Sequence, residues 1–170
     1  MNLKSENLVE IRRDFHRFPE LGFKEKRTKD KIIGYLKELG LDVHSGAGIV
    51  GVLRSGEGNK VIGLRADMDA LPIRETNTHD YVSNNTGVMH ACGHDGHMTM
   101  LLGAAHKLSK NANFSGTIVF IFQPNEELGL GAKAMMDEGL LENFPMQEIY
   151  GMHNLPGVPT GELLTRSGII

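Results

Sequence analysis

Only one of the 170 residues is a cysteine, Cys92, so no disulfide can close within the chain. That excludes the small cystine-stapled folds and fits a reducing, cytoplasmic setting. Long apolar runs are missing as well. The longest, Ile118 to Phe122 in GTIVFIFQP, falls far short of the roughly 20 residues that a membrane-spanning helix needs. The first residues, MNLKSENLVEIRRDF, alternate charged and apolar side chains where a secretory signal would carry an unbroken apolar stretch. Neither export nor contact with a membrane is expected. Charge of one sign is not concentrated anywhere: 21 acidic and 18 basic residues are scattered along the chain for a net charge of −3. Without a basic stripe to follow a phosphate backbone, nucleic acid is not an expected partner.

What remains describes an ordinary globular unit. Apolar residues make up 40% of the chain, prolines number six, and no repeat or Pro/Ser-rich linker breaks it, which suits one domain with a sizeable core. Leu8, Ile11, Phe15 and Phe18 recur at helical spacing before Pro19, and Ile32, Ile33, Leu36 and Leu39 do so before Gly40, giving two amphipathic helices. The β-branched runs GIVGVLR and KVIGLRA, joined by SGEGN, read as an antiparallel hairpin or as two adjacent strands. HMTMLLGAAHKLSK reads as a buried helix, GTIVFIF as a strand, LGLGAKAMMDEGLL as a helix, and EIYGMH as another strand. The fold class expected is α/β, a mixed and largely parallel sheet flanked by helices.

Polar clusters fall at strand ends and helix starts, where α/β sheets place their ligands. Asp67 and Asp69 follow KVIGLRA, while Cys92 and His94 precede the third helix. Glu126 and Glu127 follow GTIVFIFQP, and His153 follows EIYGM. A thiol, imidazoles and carboxylates together suit Zn²⁺ or Mn²⁺ better than Mg²⁺ or Ca²⁺. Gly93 lets Cys92 and His94 aim at one point, and His97 lies three residues on, along the same side of a first helical turn. Neighbouring side chains after a strand point apart, so one of Glu126 and Glu127 can face a metal and the other a substrate. Plainer readings stand beside these. Cys92 can be a buried small hydrophobe, the paired glutamates can serve a helix dipole, and Asp67 and Asp69 can form a turn. His90 and His106 read as structural or exposed, and His44 and His79 as residues of polar loops.

Taken in order, the segments RRDFHRFPELGFKE, GLRADMDALPI, GVMHACGHDGHMTMLLGAA, FQPNEELGLGAKAMMDEG and GMHNLPGVPTG resemble the M20 metallopeptidases. Within them they are most similar to the amidohydrolase branch of hippurate hydrolases, N-acyl-amino-acid deacylases and auxin-conjugate (IAA-amino acid) hydrolases. The resemblance implies part of a di-metal exopeptidase-type catalytic domain. It would bind two divalent ions, Mn²⁺ or Zn²⁺, and hydrolyse the amide bond of a small-molecule N-acyl amino acid. Cys92 would be a ligand that bridges the ions; His94, Glu127 and His153 would be further ligands. Glu126 would be the base that activates water and returns its proton to the leaving amine, and Asp69 would support the centre from behind its ligands. No ligand role carries over to His16 or His97, and Asn125 stands where the branch more often has alanine. Members of the branch are longer, with a lid-like dimerisation domain inserted after GELL and a last histidine ligand beyond it. Residues 1–170 are therefore expected to be the N-terminal part of the catalytic domain, without the lid or the C-terminal part, and any homodimer would form through the missing domain. Two other readings are a catalytically silent metal-binding fragment and thiol catalysis by Cys92 with His94 or His97 as base.

Overall fold

The computed structural model describes residues 7–165 and 167. Helix α1 (Leu8–Arg17) stops before Pro19, and α2 (Lys26–Glu38) runs to Gly40, which takes the left-handed conformation expected of a helix stop. Five strands follow in the order β1 (Asp42–Ser45), β2 (Ile49–Ser55), β3 (Val61–Asp67), β4 (Gly116–Gln123) and β5 (Glu148–Gly151). Helix α3 (His94–Lys110) lies between β3 and β4, with α4 (Gly131–Asp137) and α5 (Leu140–Asn143) between β4 and β5.

The sheet order is β1-β2-β4-β3-β5. Strand β2 is antiparallel to both β1 and β4, whereas β3 is parallel to both β4 and β5, so the mixed α/β sheet is as expected and half its ladders are parallel. GIVGVLR and KVIGLRA do not pair with each other: β4 lies between them. The reason is apolarity on both faces. Ile118, Val119, Phe120, Ile121 and Phe122 are all buried, and only a central strand can shield two faces at once, at roughly 1.5–3 kcal/mol for each large side chain removed from water. The stretch read as a single helix over LGLGAKAMMDEGLL is broken into α4 and α5, because Gly139 turns left-handed between them.

One face of the sheet packs against α1, α2 and α3 through Phe15, Ile32, Leu36, Met98, Leu102, Phe120 and Phe122. The other face buries Val50, Val52, Val119 and Ile121 under Met135 of α4. Helix α2 opens with Lys26 and Arg27 and has no acidic residue in its first turn, an unfavourable arrangement for the helix dipole. Glu20 compensates from outside the helix, its two carboxylate oxygens accepting the backbone N–H groups of Arg27 (3.1 Å) and Thr28 (2.8 Å). Glu20→Ala should therefore cost about 1 kcal/mol of stability, the usual size of a lost helix cap. The measurement is a lower urea midpoint at an unchanged m-value.

Candidate metal centre

The parallel strands β3 and β4 end side by side, with Asp67 opposite Gln123, and deliver their following residues to one rim of the sheet. Asp67 and Asp69, both buried, come from the end of β3. Glu126 and Glu127 come from the turn after β4, where Asn125 adopts a positive φ of 44° that asparagine tolerates better than most side chains. The buried carboxylate of Glu25 holds this turn by accepting the Asn125 N–H at 3.0 Å. Cys92 and His94 flank Gly93, which caps α3 in the left-handed conformation (φ 90°); a side chain there would collide with Asn154. His153 follows β5.

These residues surround one locus. Donor atoms of Cys92, His94 and Glu127 all lie within 4.8 Å of one another, as do those of Asp67, His94, His97 and His153. Cys92 Sγ is 3.4 Å from His153 Nε2. His153 Nδ1–H donates to the Asn154 carbonyl at 2.7 Å, which leaves the Nε2 lone pair turned toward the sulfur. His94 is fully buried, and neither ring nitrogen has a hydrogen-bond partner among the described residues. Its Nδ1 lies 3.4 Å from Asp69, and its Nε2 lies 3.8 Å from Glu127 and 3.9 Å from Glu126. An imidazole set between a carboxylate on one side and a ring of ligand-type atoms on the other is the usual dress of a metal-binding histidine. Asp69 also accepts the Glu127 N–H at 3.1 Å, so one carboxylate steadies two ligand candidates. Glu127 Oε1 and Asp69 Oδ1 are, like the His94 ring, buried without a hydrogen-bond partner among the described residues. Orphaned polar atoms at one point fit a cation, because each would otherwise cost about 1–3 kcal/mol.

The electrostatics agree. Burial would raise Asp67, but the hydrogen bond from His97 and the charges of His94 and Arg65 outweigh it and bring it down to about 2. Burial alone would lower His94, yet its contact with Asp69 and the charges of Asp67 and Glu127 hold it above the usual histidine value. Burial, the neighbouring Glu127 carboxylate, and Asp67 and Glu126 beyond it push the Cys92 thiol up to about 11. A nucleophilic cysteine needs the opposite surroundings, in which positive charge lowers its pKa.

Every residue singled out for the site thus lies at this rim: Cys92, His94, Glu126, Glu127, His153 and Asp69. Three partners went unassigned in the sequence. His97 Nδ1–H donates to Asp67 at 2.7 Å, and its Nε2 accepts the Asn154 backbone N–H at 3.2 Å. Arg65 holds the other Asp67 oxygen at 2.8 Å. The signals were His97 one turn beyond His94, and Arg65 two residues before Asp67 on the same face of its strand. His90 is buried, as a structural residue would be, whereas His79 packs against Glu75 instead of standing free in its loop. A cavity of about 510 Å³, lined by His44, Met135, Glu138 and Phe144, lies on the α4 side of the sheet, away from these residues.

Comparison with known proteins agrees with this geometry. The chain is 49% identical over 149 residues to the hippurate hydrolase of Campylobacter jejuni, covering 86% of this chain and 39% of that protein. It is 43% identical over 170 residues to thermostable carboxypeptidase 2 of Saccharolobus solfataricus, covering 96% of this chain and 43% of the relative. The crystal structure of Bacillus subtilis YXEP, described as a dinuclear metal-binding peptidase, superposes with a TM-score of 0.85 at 40% identity, covering 91% of this chain and 44% of that one. The chain therefore spans less than half the length of the relatives it matches. Residues 63–168, which carry every cluster at the rim, match the model of peptidase family M20/M25/M40, and the chain belongs to that family.

Proposed function

We propose that residues 1–170 are the N-terminal part of a metal-dependent catalytic domain that hydrolyses the amide bond of N-acyl amino acids. The observation that carries the reading is His94, sealed from water with neither ring nitrogen hydrogen-bonded among the described residues, between Asp69 and a ring of Cys92, Glu127 and Glu126. Cys92, His94, Glu127 and His153 would hold two divalent ions, and their mixture of sulfur, nitrogen and oxygen suits Zn²⁺ or Mn²⁺. Bound ions would polarise the scissile carbonyl and stabilise the oxygen on which charge develops. The chain's own groups do the rest. The Glu126 side chain is 38% exposed, against 21% for Glu127, so it is the carboxylate open to a substrate. Glu126 would accept the proton of the attacking water and pass it to the leaving nitrogen. Asp69 would keep the His94 ring and the Glu127 backbone in place while this happens.

The names of two relatives support the substrate class. A hippurate hydrolase and a carboxypeptidase both cut an amide whose nitrogen belongs to an amino acid with a free carboxylate. A reducing cytoplasm suits the site, since oxidation of Cys92 would remove a ligand. A lid and a last ligand would lie in sequence outside residues 1–170.

The test is metal content and turnover of the whole protein on benzoyl- and acetyl-amino acids, before and after chelation. Loss of turnover with the metal and its return on adding Mn²⁺ or Zn²⁺ are expected; bound metal without turnover on any such substrate would favour a silent metal-binding role. Iodoacetamide separates the thiol reading from ligation. Saturating metal should slow alkylation of Cys92 at least about tenfold, because a coordinated thiolate is shielded; rapid labelling despite bound metal would favour a nucleophile.

A further inference from the structure

A second cluster of ligand-type side chains lies at the junction of α1 with the loop of residues 72–88. His16 closes α1, and Glu75 and His79 come from the loop. Donor atoms of the three lie within 4.8 Å of one another, and none of these residues belongs to the centre described above. His16 Nε2 is 3.1 Å from Glu75 Oε1, and His79 Nε2 is 3.3 Å from the same oxygen. Those spacings match a metal site: with bonds of about 2.0–2.1 Å in a tetrahedron, adjacent ligand atoms sit ~3.3 Å apart.

Direct hydrogen bonding does not account for His79, whose Nδ1 is buried without a hydrogen-bond partner among the described residues. Glu75 Oε1 accepts from His16 Nε2 at 3.1 Å and from the amide of Asn77 at 3.0 Å, which occupies both of its lone pairs, while His79 Nε2 stands at ion-pair distance, 3.3 Å. The second Glu75 oxygen is engaged elsewhere, by the Ser83 N–H at 2.6 Å. A cation that receives the Nε2 lone pairs of both histidines and one lone pair of Glu75 would engage all three residues at once.

The surroundings are arranged as they are behind metal ligands. His16 Nδ1–H donates to the buried Asp95 carboxylate at 2.9 Å, which fixes the tautomer that leaves Nε2 free to ligate. Arg12 holds the same Asp95 oxygen at 3.2 Å. The His79 ring is stacked on Tyr81 at 3.8 Å, and Arg13 lies over the far partner at 4.9 Å from the Tyr81 centroid. The loop itself is tied down by the Leu71–Met89 bridge and by the Asn84 N–H on the Arg17 carbonyl at 2.8 Å. His16 and Glu75 side chains are 6% and 5% exposed and His79 is 29% exposed, so the site is walled yet reachable.

We propose that His16, Glu75 and His79 form a separate site for one transition-metal ion of the Zn²⁺ or Co²⁺ type, bracing the 72–88 loop against α1. Two imidazoles and one carboxylate are a zinc-type ligand set, and solvent on the His79 side can supply the fourth position. The proposal uses no ligand of the first centre and stands or falls apart from the hydrolase reading.

The experiment is a Co²⁺ titration of the tag-free whole protein, wild type against His79→Ala and Glu75→Gln, with bound metal counted after gel filtration. Cobalt on Cys92 gives a sulfur-to-metal charge-transfer band, and cobalt on the second site, which has no sulfur, does not. Each variant should bind one equivalent fewer than wild type with the charge-transfer band undiminished. The Zn²⁺ dissociation constant of that equivalent should rise more than about tenfold, the least expected for losing even a group behind a ligand. His79→Ala alters a half-exposed loop residue and keeps the test open should Glu75→Gln fail to fold. Equal metal content in all folded proteins overturns the proposal, and so does loss of the charge-transfer band together with the metal.

Discussion

Glu126→Gln should lower kcat for hydrolysis of benzoyl- and acetyl-amino acids by about 10²- to 10⁴-fold in the whole protein, with bound metal unchanged. Glutamine keeps the volume and the polarity of the side chain and removes only its capacity to take a proton. Glu126 Oε2 lies 3.9 Å from His94 Nε2, close enough to share the locus, but its side chain is the more exposed of the pair. The variant should therefore bind substrate with a KM close to wild type and fail in the proton transfer. Glu127→Gln supplies the contrast. Its buried Oε1 would lose charge at the metal, so metal affinity should fall along with turnover. Turnover of Glu126→Gln within a few-fold of wild type would remove that residue from the mechanism. Loss of metal from Glu126→Gln would make it a ligand instead.

Acidification of the metal-free protein should expose a second large effect, seated at His90. Its ring is buried with both nitrogens lacking partners among the described residues, and burial, reinforced by the nearby His94 and His16 against the opposing charge of Asp95, lowers it to about 4. The unfolded chain protonates this histidine near its ordinary value of 6.5, while the folded chain resists until about 4. As pH falls from 6.5 toward 4 the unfolded state gains protons that the folded state refuses, and the native state loses on the order of 3 kcal/mol. His16 and His94 are held above the usual value and act with the opposite sign, since folding favours their charged forms. The comparison that isolates His90 is wild type against His90→Leu, unfolded in urea at about pH 7 and about pH 4.5. The variant should lose roughly 2 kcal/mol less stability over that interval; parallel losses would show that the His90 ring is hydrated or paired in solution.

Legibility from sequence followed the range of the forces. Helices α1 and α2 were readable because an apolar stripe, a proline and a glycine act within a few residues. The expected hairpin or adjacent pairing of β2 and β3 failed because pairing is a competition among strands. Nothing local to SGEGN announces that a more apolar strand, beginning only at Gly116, takes the middle position. Strand β1, DVHS, escaped notice because it is short, polar and at the sheet edge. At the site, residue types were legible in order and their resemblance to a family was specific. His97, Asn154 and Arg65 were not, since their part depends on Asp67 reaching them from another element. The same limit hid Glu75 and His79, which look like ordinary loop residues until His16 is set against them.

By itself the sequence determined which atoms were present to do chemistry: one thiol, paired glutamates after an apolar strand, and histidines beside glycines that let the backbone bend. It also determined the amphipathic helices, because their pattern is read within a single turn of chain. The tertiary structure alone decided the strand order, the gathering of Cys92, His94, Glu127 and His153 at one rim, and the burial of the His94 and His90 rings. Those outcomes depend on contacts between residues far apart in the chain, whose free energy is settled only when all competing surfaces have been packed.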